Sequence, residues 1–187
     1  MPMNRFHQWY CRSGTWRRTV EERLLPWVLR DADLGERTLE VGPGFGVTTR
    51  VLRDRVPDLT ALELDPVLAG RLRHEGGSVD VVEGDGTAMP FDEAAFTSVV
   101  CFTMLHHLPS AGAQDRLFAE ACRVLTPGGT FAGSDSRTSL RFRAIHVGDT
   151  MTIVDPATLP ARLQAAGFTD VQVDLAPGTF RFSARKP

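Results

Sequence analysis

Short apolar runs alternate with longer amphipathic stretches through most of the chain. The apolar runs predict strands, and the stretches between them predict helices, the first of them at 47–55. The predicted strands lie at 38–41, 59–64, 79–82, 98–102 and 130–133. Strands that alternate with helices are typical of a parallel sheet covered by helices, and such a sheet binds its ligand at the carboxyl ends of the strands.

The last part of the chain follows a different pattern. Asp155-Pro156 predicts the start of a helix that ends at Gly167. Two further strand-like runs, 169–175 and 179–184, are joined by Ala176-Pro177-Gly178, which predicts a tight turn. A turn this short permits an antiparallel pair, whereas parallel strands need a longer crossover.

Glycines at alternate positions, Gly42, Gly44 and Gly46, stand between the first predicted strand and its helix. Glycine allows a sharp turn and a close approach of a ligand to the main chain. In a dinucleotide fingerprint the third glycine comes one residue later, where this chain has Val47. Glu40, before the loop, would repel a pyrophosphate and attract a ligand that carries an ammonium group. The alternative is a glycine turn that only packs the strand against the helix.

Acidic residues also follow the next two predicted strands. Glu63 lies where nucleoside-binding α/β folds hold the ribose hydroxyls, about 20 residues after the glycine loop. Leu64 follows it and is placed to lie against a base. Asp85, between two glycines, is placed to accept a hydrogen bond from the exocyclic amine of adenine. The alternatives are an exposed strand-end charge for Glu63 and an Asx-type turn for Asp85.

Five motifs in this order resemble those of the class I S-adenosylmethionine-dependent methyltransferases. They are the glycine loop with Glu40, Glu63 at the second strand end, Gly84-Asp85 at the third, Leu105-His106-His107-Leu108, and the run 123–129. The branch that the chain resembles most is the small-molecule, type-11-like group that includes the ubiquinone/menaquinone C-methyltransferases. The resemblance implies an α/β fold, with a Rossmann-like, doubly wound sheet of seven mostly parallel strands, an antiparallel last strand and helices on both faces.

The resemblance also implies which residues contact S-adenosylmethionine, the family's cofactor. The implied contacts are Glu40, Gly42, Pro43, Gly44 and Gly46 for the methionine end, Glu63 and Leu64 for the ribose and base, Asp85, Gly86 and Thr87 for the adenine edge, and Cys101 and Phe102 beside the donor methyl. One position departs from the family: Thr97 stands where an acid is usual. This departure predicts that a nearby helix or loop contact lacks its usual partner.

Composition narrows the class of protein. A chain of 187 residues suits one domain, divided into an N-terminal helical cap at 1–37, a cofactor-binding half at 38–135, and residues 136–187 that complete the sheet and the substrate side. The net charge of −2 gives no electrostatic footprint for nucleic acid. No apolar run is long enough to cross a membrane. Three scattered cysteines form no metal motif and favour a reducing, cytoplasmic location.

A general base is needed only if the methyl acceptor keeps a proton until it reacts. His106 and His107 are the candidates nearest to the cofactor motifs, because histidine titrates near neutral pH. The alternative is that this histidine pair packs beneath the cofactor, as it often does in the family that the chain resembles.

Two variable segments are candidates for the acceptor pocket. His7, Trp9 and Tyr10 lie in an aromatic and basic N-terminal stretch, which in related enzymes closes over the cofactor. The alternative interpretation of this stretch is an amphipathic helix that packs its aromatic side chains against the core. Arg137 and His146 lie in the second segment, where basic side chains at the rim of a pocket would suit an anionic acceptor. A solvent-exposed face explains these basic residues equally well.

We therefore expect a methyltransferase that acts on an O, N or C nucleophile of a small molecule by in-line displacement. A protein that binds S-adenosylmethionine without catalysis, as a regulator or partner subunit, is the alternative from another class. A nicotinamide-dependent oxidoreductase is the third hypothesis, and Glu40 and Val47 speak against it. The motifs do not specify an acceptor or an oligomeric state.

Overall fold

The computed structural model describes residues 9–75, 77–137 and 151–187. Within these residues, seven strands form one sheet in the order β3-β2-β1-β4-β5-β7-β6. The strands are β1 Arg37–Val41, β2 Asp58–Glu63, β3 Asp80–Glu83, β4 Phe96–Phe102, β5 Leu125–Ser136, β6 Thr169–Ala176 and β7 Thr179–Arg185. The α/β fold class implied by the sequence is therefore confirmed.

Helical segments connect and cover the strands. They are α1 Gly14–Thr19, continued by a π-helical turn Val20–Leu24 and by α2 Leu25–Val28, then α3 Val47–Arg53, α4 Pro66–Glu75, a 3₁₀ turn Leu105–His107, α5 Ala111–Val124 and α6 Leu159–Ala165. Serine side chains cap two of these helices, because Ser13 accepts from the Trp16 amide and Ser110 from the Ala113 amide. Asp65 does the same before α4, accepting from the amides of Val67 and Leu68.

Strand direction determines where a ligand can bind. β1 pairs in parallel with β2 and with β4, and in the register of these pairs Val41 lies beside both Leu62 and Cys101. The carboxyl ends of the three strands therefore meet at one edge of the sheet. Because β1 and β4 are neighbours although β2 and β3 lie between them in sequence, the strand order reverses there, which is where open α/β sheets bind ligands. β7 runs antiparallel to both of its neighbours, β5 and β6, as expected for the final strand.

The core forms two layers, one on each face of the sheet, because successive side chains of a strand point to opposite faces. On one face, Cys101 and Phe131 pack with residues of α5 and α6, including Phe118. On the other face, Phe102 packs with Leu25 of the N-terminal helix and with residues of α3. Apolar burial on both faces thus fixes which way each strand-end side chain points.

Arg181 in β7 joins the N-terminal helix to the sheet. Only 6% of Arg181 is exposed, and its guanidinium donates to Asp31 at 2.8 Å, to Asp174 at 2.8 Å and to the Trp27 carbonyl at 2.9 Å. A buried guanidinium is stable only with such partners, so this cluster holds the end of the helix against β7.

The start of the last helix and the contacts of Thr97 differ from the sequence-based expectations. The helix expected from Asp155-Pro156 begins instead at Leu159, because Asp155 forms a turn in which its carboxylate accepts from the Ala157 amide. Thr97 leaves no contact unfilled: its hydroxyl accepts from the Arg37 amide at 2.9 Å and donates to the Leu34 carbonyl at 2.8 Å. A threonine hydroxyl thus does the structural work expected of an acid.

Candidate functional site

A cleft of about 720 Å³, open to solvent, lies at the carboxyl ends of β1, β2, β3 and β4. Its walls are mostly apolar and include three acidic residues. The lining residues are Val41, Gly42, Gly44, Leu62, Glu63, Leu64, Asp65, Leu68, Gly84, Asp85, Gly86, Met104, His107, Leu108 and Leu117.

The glycine loop forms the wall of the cleft next to β1. Gly42, Gly44 and Gly46 all have positive φ values, of 69°, 57° and 70°, which side chains disfavour. No atom lies within 4 Å of the position that a Cβ on Gly44 would occupy, whereas a Cβ on Gly46 would lie 2.4 Å from a methyl of Leu72. Gly44 therefore leaves open space at the cleft, and Gly46 allows α3 and α4 to pack closely.

Glu63 ends β2 and lies at the centre of this site. Only 7% of the residue is exposed, although it lines the cleft. Its Oε2 accepts from the Gly44 amide at 2.9 Å, and its Oε1 accepts from the Asp65 amide at 3.0 Å. These bonds fix the carboxylate next to the glycine loop. Each oxygen keeps a further lone pair, which a ligand hydroxyl can use.

Glu40 is buried behind the glycine loop and does not line the cleft itself. It is 1% exposed, the Thr48 hydroxyl donates to its Oε1, and its Oε2 has no hydrogen-bond partner among the described residues. Burial, with a smaller contribution from the charge of Glu63, raises the pKa of Glu40 from 4.5 to about 7. An added cation near Oε2 would offset this cost.

The segment after β3 also lines the cleft, through Gly84, Asp85 and Gly86. Asp85 is exposed at the rim, and its Oδ1 accepts from the Thr87 amide at 2.8 Å, which is the Asx-type turn considered from the sequence. Gly86 lies on the wall, where a Cβ would be 2.9 Å from a methyl of Val41. Leu64, which follows β2, also lines the cleft, with 50% of its surface exposed. A flat apolar ligand part fits beside such a side chain.

The remaining expected cofactor contacts lie outside the lining. Cys101 and Phe102 are fully or almost fully buried, on opposite faces of the sheet. Burial, followed by the charges of Asp135 and Glu40, raises the pKa of the Cys101 thiol well above 9. Pro43 and Gly46 are buried within the turn that leads into α3, where the Gly46 amide donates to the Pro43 carbonyl.

The two histidines of the 3₁₀ turn lie in different surroundings. His107 lines the cleft, whereas His106 is only 2% exposed. His106 Nδ1 lies 2.5 Å from Asp135 Oδ1, and the His106 amide donates to Asp135 Oδ2 at 2.9 Å. The two imidazole rings are neighbours, with their centroids 4.1 Å apart.

The expected acceptor residues are only partly described. His7 and His146 lie outside the described residues. Trp9 is 65% exposed, and the ring of Tyr10 packs against Trp16 at 5.6 Å. Arg137 is exposed and its amide donates to the Gly178 carbonyl. None of these described residues lines the cleft.

Sequence reasoning missed part of the site. Met104, Leu108 and Leu117 line the cleft, but an apolar residue of a loop or helix carries no signal that separates a cleft wall from the core. Asp135 was missed because the fifth strand was predicted to end at 133, whereas β5 continues to Ser136. An acid at a strand end, the signal that identified Glu63, would have found it. Among the described residues, no group of three or more histidine, cysteine or acidic side chains is placed to hold a metal.

A family model described as a methyltransferase domain matches residues 39–133, just over half of the chain. The chain therefore belongs to this family, which comprises class I S-adenosylmethionine-dependent methyltransferases. The matched range holds the whole glycine loop, Glu63, Asp85 and both histidines of the 3₁₀ turn.

Curated relatives match shorter stretches. Ribosomal RNA small subunit methyltransferase A of Chlorobium chlorochromatii is 33% identical over 95 residues, covering 43% of this chain and 36% of that protein. The phthiotriol/phenolphthiotriol dimycocerosates methyltransferase of Mycobacterium leprae is 35% identical over 111 residues, covering 56% of this chain and 39% of that protein. The chain thus spans well under half the length of these relatives. The ubiquinone/menaquinone branch stays a prediction.

The fold likeness extends over the whole chain. A methyltransferase of Thermotoga maritima, described as S-adenosylmethionine-dependent and as a possible histamine N-methyltransferase, has a TM-score of 0.78 and 18% identity, with 98% of this chain and 97% of that chain covered. At this identity the likeness shows the fold alone. Within residues 9–75, 77–137 and 151–187, no helix has both the length and the apolar character that crossing a membrane requires.

Proposed function

We propose that the protein transfers a methyl group from S-adenosylmethionine to an O, N or C nucleophile of a small molecule. The observation that carries the proposal is the Glu63 carboxylate, held by two main-chain amides beside the glycine loop in a mostly apolar cleft. A fixed carboxylate accepts hydrogen bonds from a pair of ribose hydroxyls, and apolar walls take a base and a carbon chain.

The residues present fit each part of this cofactor. The unsatisfied Oε2 of Glu40 lies in a buried site behind the glycine loop, and an ammonium group there would satisfy it. Glu63 would take the ribose hydroxyls, Leu64 would pack on the base, and the Asp85 carboxylate would accept from the adenine amine. Cys101 and Phe102, at the end of β4, would support the wall next to the donor methyl.

When bound, the cofactor supplies a methyl carbon made electrophilic by its positively charged sulfur. The chain's own part is to orient the cofactor and the nucleophile in line and to exclude water from the cleft. The glycine loop and Glu63 would hold one end of the cofactor, and Val41, Met104 and Leu117 form an apolar wall. No acid is needed for departure of the sulfur, because it leaves as a neutral thioether.

Calorimetric titration with S-adenosylhomocysteine tests the cofactor part of this proposal. Glu63 and Glu83 end adjacent strands and are in register, but only Glu63 lies in the cleft, since Glu83 is exposed. Glu63→Gln should weaken binding by about 10- to 100-fold, because it removes charge-assisted hydrogen bonds, and Glu83→Gln should not. Equal affinities of the two variants would contradict the assignment.

Methyl transfer is measured separately, with radiolabelled donor and a panel of phenols, carboxylic acids, amines and ribosomal RNA. The match to a ribosomal RNA methyltransferase supports RNA as a second candidate acceptor. The 23 acidic against 21 basic residues speak against it, because binding to phosphates needs a basic surface. Transfer to a small molecule supports the proposal. Transfer to RNA alone would replace it, and tight cofactor binding without transfer would favour the non-catalytic alternative.

A further inference from the structure

One residue directly after β4 holds a main-chain conformation that its type disfavours. Three of the described residues other than glycine have positive φ values: Ala94 at 55°, Thr103 at 51° and Asp170 at 51°. Of these three, only Thr103 is branched at Cβ, and a branched residue in the left-handed region is an outlier. Glycine would adopt this φ without cost. The chain therefore carries backbone strain at Thr103.

The main chain on both sides of Thr103 holds this strained conformation in place. The Thr103 amide donates to the Ser134 carbonyl at 2.8 Å, which continues the pairing of β4 with β5. Just beyond Thr103 the chain enters the 3₁₀ turn, in which the His107 amide donates to the Met104 carbonyl at 3.0 Å. Thr103 is thus the residue at which the chain leaves the sheet and changes direction toward the turn.

The turn that follows Thr103 contributes to the wall of the cofactor cleft. Met104, His107 and Leu108 all line the cleft. The Met104 side chain also lies against the glycine loop, because a Cβ on Gly42 would be only 3.0–3.2 Å from three of its atoms. The direction in which the chain leaves β4 therefore determines how Met104 lies against the glycine loop.

Ala94 and Asp170 share the backbone conformation of Thr103 but not its location. Both are exposed, Ala94 in the chain between β3 and β4 and Asp170 in the edge strand β6, and neither lines the cleft. Strained conformations persist only where the surrounding structure enforces them, and they concentrate at ligand sites. Of the three residues, Thr103 is the one whose strain coincides with a cleft wall.

We propose that Thr103 is a positioning residue for the cofactor, because its restricted main chain fixes Met104 and His107 at the cleft before the cofactor binds. This inference rests on the proposed function, since the ligand concerned is S-adenosylmethionine. A branched residue leaves few main-chain conformations open, whereas glycine opens many. The chain loses stability at Thr103 and gains a cleft wall that needs little ordering when the cofactor binds.

Two substitutions separate the restriction of the main chain from the chemistry of the side chain. Thr103→Gly allows the same φ but removes the restriction, so it should weaken binding of S-adenosylhomocysteine in calorimetry by about 5- to 20-fold. Its midpoint of thermal unfolding should rise or stay within about 3 °C of the wild-type value, because relief of strain offsets the added freedom of the unfolded chain. Thr103→Val keeps the branching without the hydroxyl and should bind within about threefold of the wild-type affinity.

Ala94→Gly and Asp170→Gly are the matched controls, because each makes the same backbone change away from the cleft. Both should leave the affinity for S-adenosylhomocysteine unchanged. Hydrogen exchange of the cofactor-free protein gives a second measurement. The amides of His107 and Leu108, which are hydrogen-bonded within the turn, should exchange about 10-fold faster in Thr103→Gly than in the wild-type protein.

Undiminished affinity of Thr103→Gly would overturn the inference. An equal loss of affinity in Thr103→Val would also overturn it, because the hydroxyl and not the main chain would then be responsible. A fall of the unfolding midpoint by about 6 °C or more in Thr103→Gly would show a merely structural role. All three results leave the proposed function standing, whereas wild-type protein that does not bind S-adenosylhomocysteine contradicts the proposed function itself.

Discussion

Replacing Glu40 by glutamine is expected to remove most of the pH dependence of stability of the cofactor-free protein between pH 5 and pH 8. Burial raises the pKa of Glu40 from 4.5 to about 7 in the folded protein. Between these values the folded protein holds a proton that the unfolded chain has released. The free energy of unfolding therefore falls as the pH rises through this window, and the full stability is present only below pH 4.5.

The size of the effect follows from the same two pKa values. Each pH unit between 4.5 and about 7 changes the stability by about 1.4 kcal/mol, so ionised Glu40 costs about 3 kcal/mol above pH 7. Glutamine keeps the shape and can still accept from Thr48. The NH₂ group of the glutamine would take the place of Oε2, which has no hydrogen-bond partner among the described residues, so it lowers the free energy of unfolding by about 1–2 kcal/mol at every pH. The wild-type protein has already lost about 0.8 kcal/mol at pH 5, so Glu40→Gln should be about 0–1 kcal/mol less stable there and about 1–2 kcal/mol more stable at pH 8.

Urea unfolding at pH 5, 6, 7 and 8 without cofactor measures this difference. Glu83→Gln provides the control, because it makes the same change in an exposed carboxyl and should follow the wild-type curve. If Glu40→Gln retained the wild-type pH dependence, Glu40 would not be the buried acid responsible. If the Glu40→Gln protein were destabilised by the same amount at every pH, the ionised carboxylate of Glu40 in the wild-type protein would carry no free-energy cost of burial.

Three further predictions concern the cofactor and the fold. The affinity of the wild-type protein for S-adenosylhomocysteine, measured by calorimetry, should rise about fivefold from pH 6 to pH 7, because Glu40 must lose its proton to bind an ammonium group. Glu40→Gln should show no such rise in affinity. Gly44→Arg should abolish binding in the same assay, because a side chain at this positive φ projects into the cleft. Thermal unfolding followed by circular dichroism should show a loss of stability of only about 1–3 kcal/mol. Undiminished affinity would disprove the placement of the loop. Arg181→Met should lower the free energy of unfolding by about 2–4 kcal/mol and increase amide hydrogen exchange in α2. Arg30→Met removes the ion pair with Asp174, in which the arginine side chain is 53% exposed, and should lower the free energy of unfolding by less than about 1 kcal/mol. Equal losses of stability in the two variants would show that the Arg181 cluster does not hold the helix.

The cofactor half of the fold was predictable because its signals are local. Each of β1 to β3 is a short apolar run that ends at a glycine or an acid, so the sequence pattern alone places both the strand and the edge of the sheet. The helix after Asp155 was placed too early because aspartate followed by proline begins a turn as readily as a helix. The Thr97 contacts also escaped prediction, because a single hydroxyl can replace a carboxylate when main-chain partners lie within reach.

The site shows the same division between local and long-range signals. Glu63 and the glycine loop were placed on adjacent strands by their spacing, and the structure joins them through the Gly44 amide. The pairing of His106 with Asp135 crosses 29 positions of sequence, and no local pattern connects the two residues. The burial of Glu40 likewise depends on packing between β1 and α3, which a sequence pattern does not measure.

A crystal structure of the protein with S-adenosylhomocysteine bound tests the central claim most directly. We predict one ligand per chain in the described cleft, with both ribose hydroxyls within hydrogen-bond distance of Glu63 and the homocysteine end at the loop of Gly42, Gly44 and Gly46. A ligand bound elsewhere, or one whose ribose does not contact Glu63, would contradict the account.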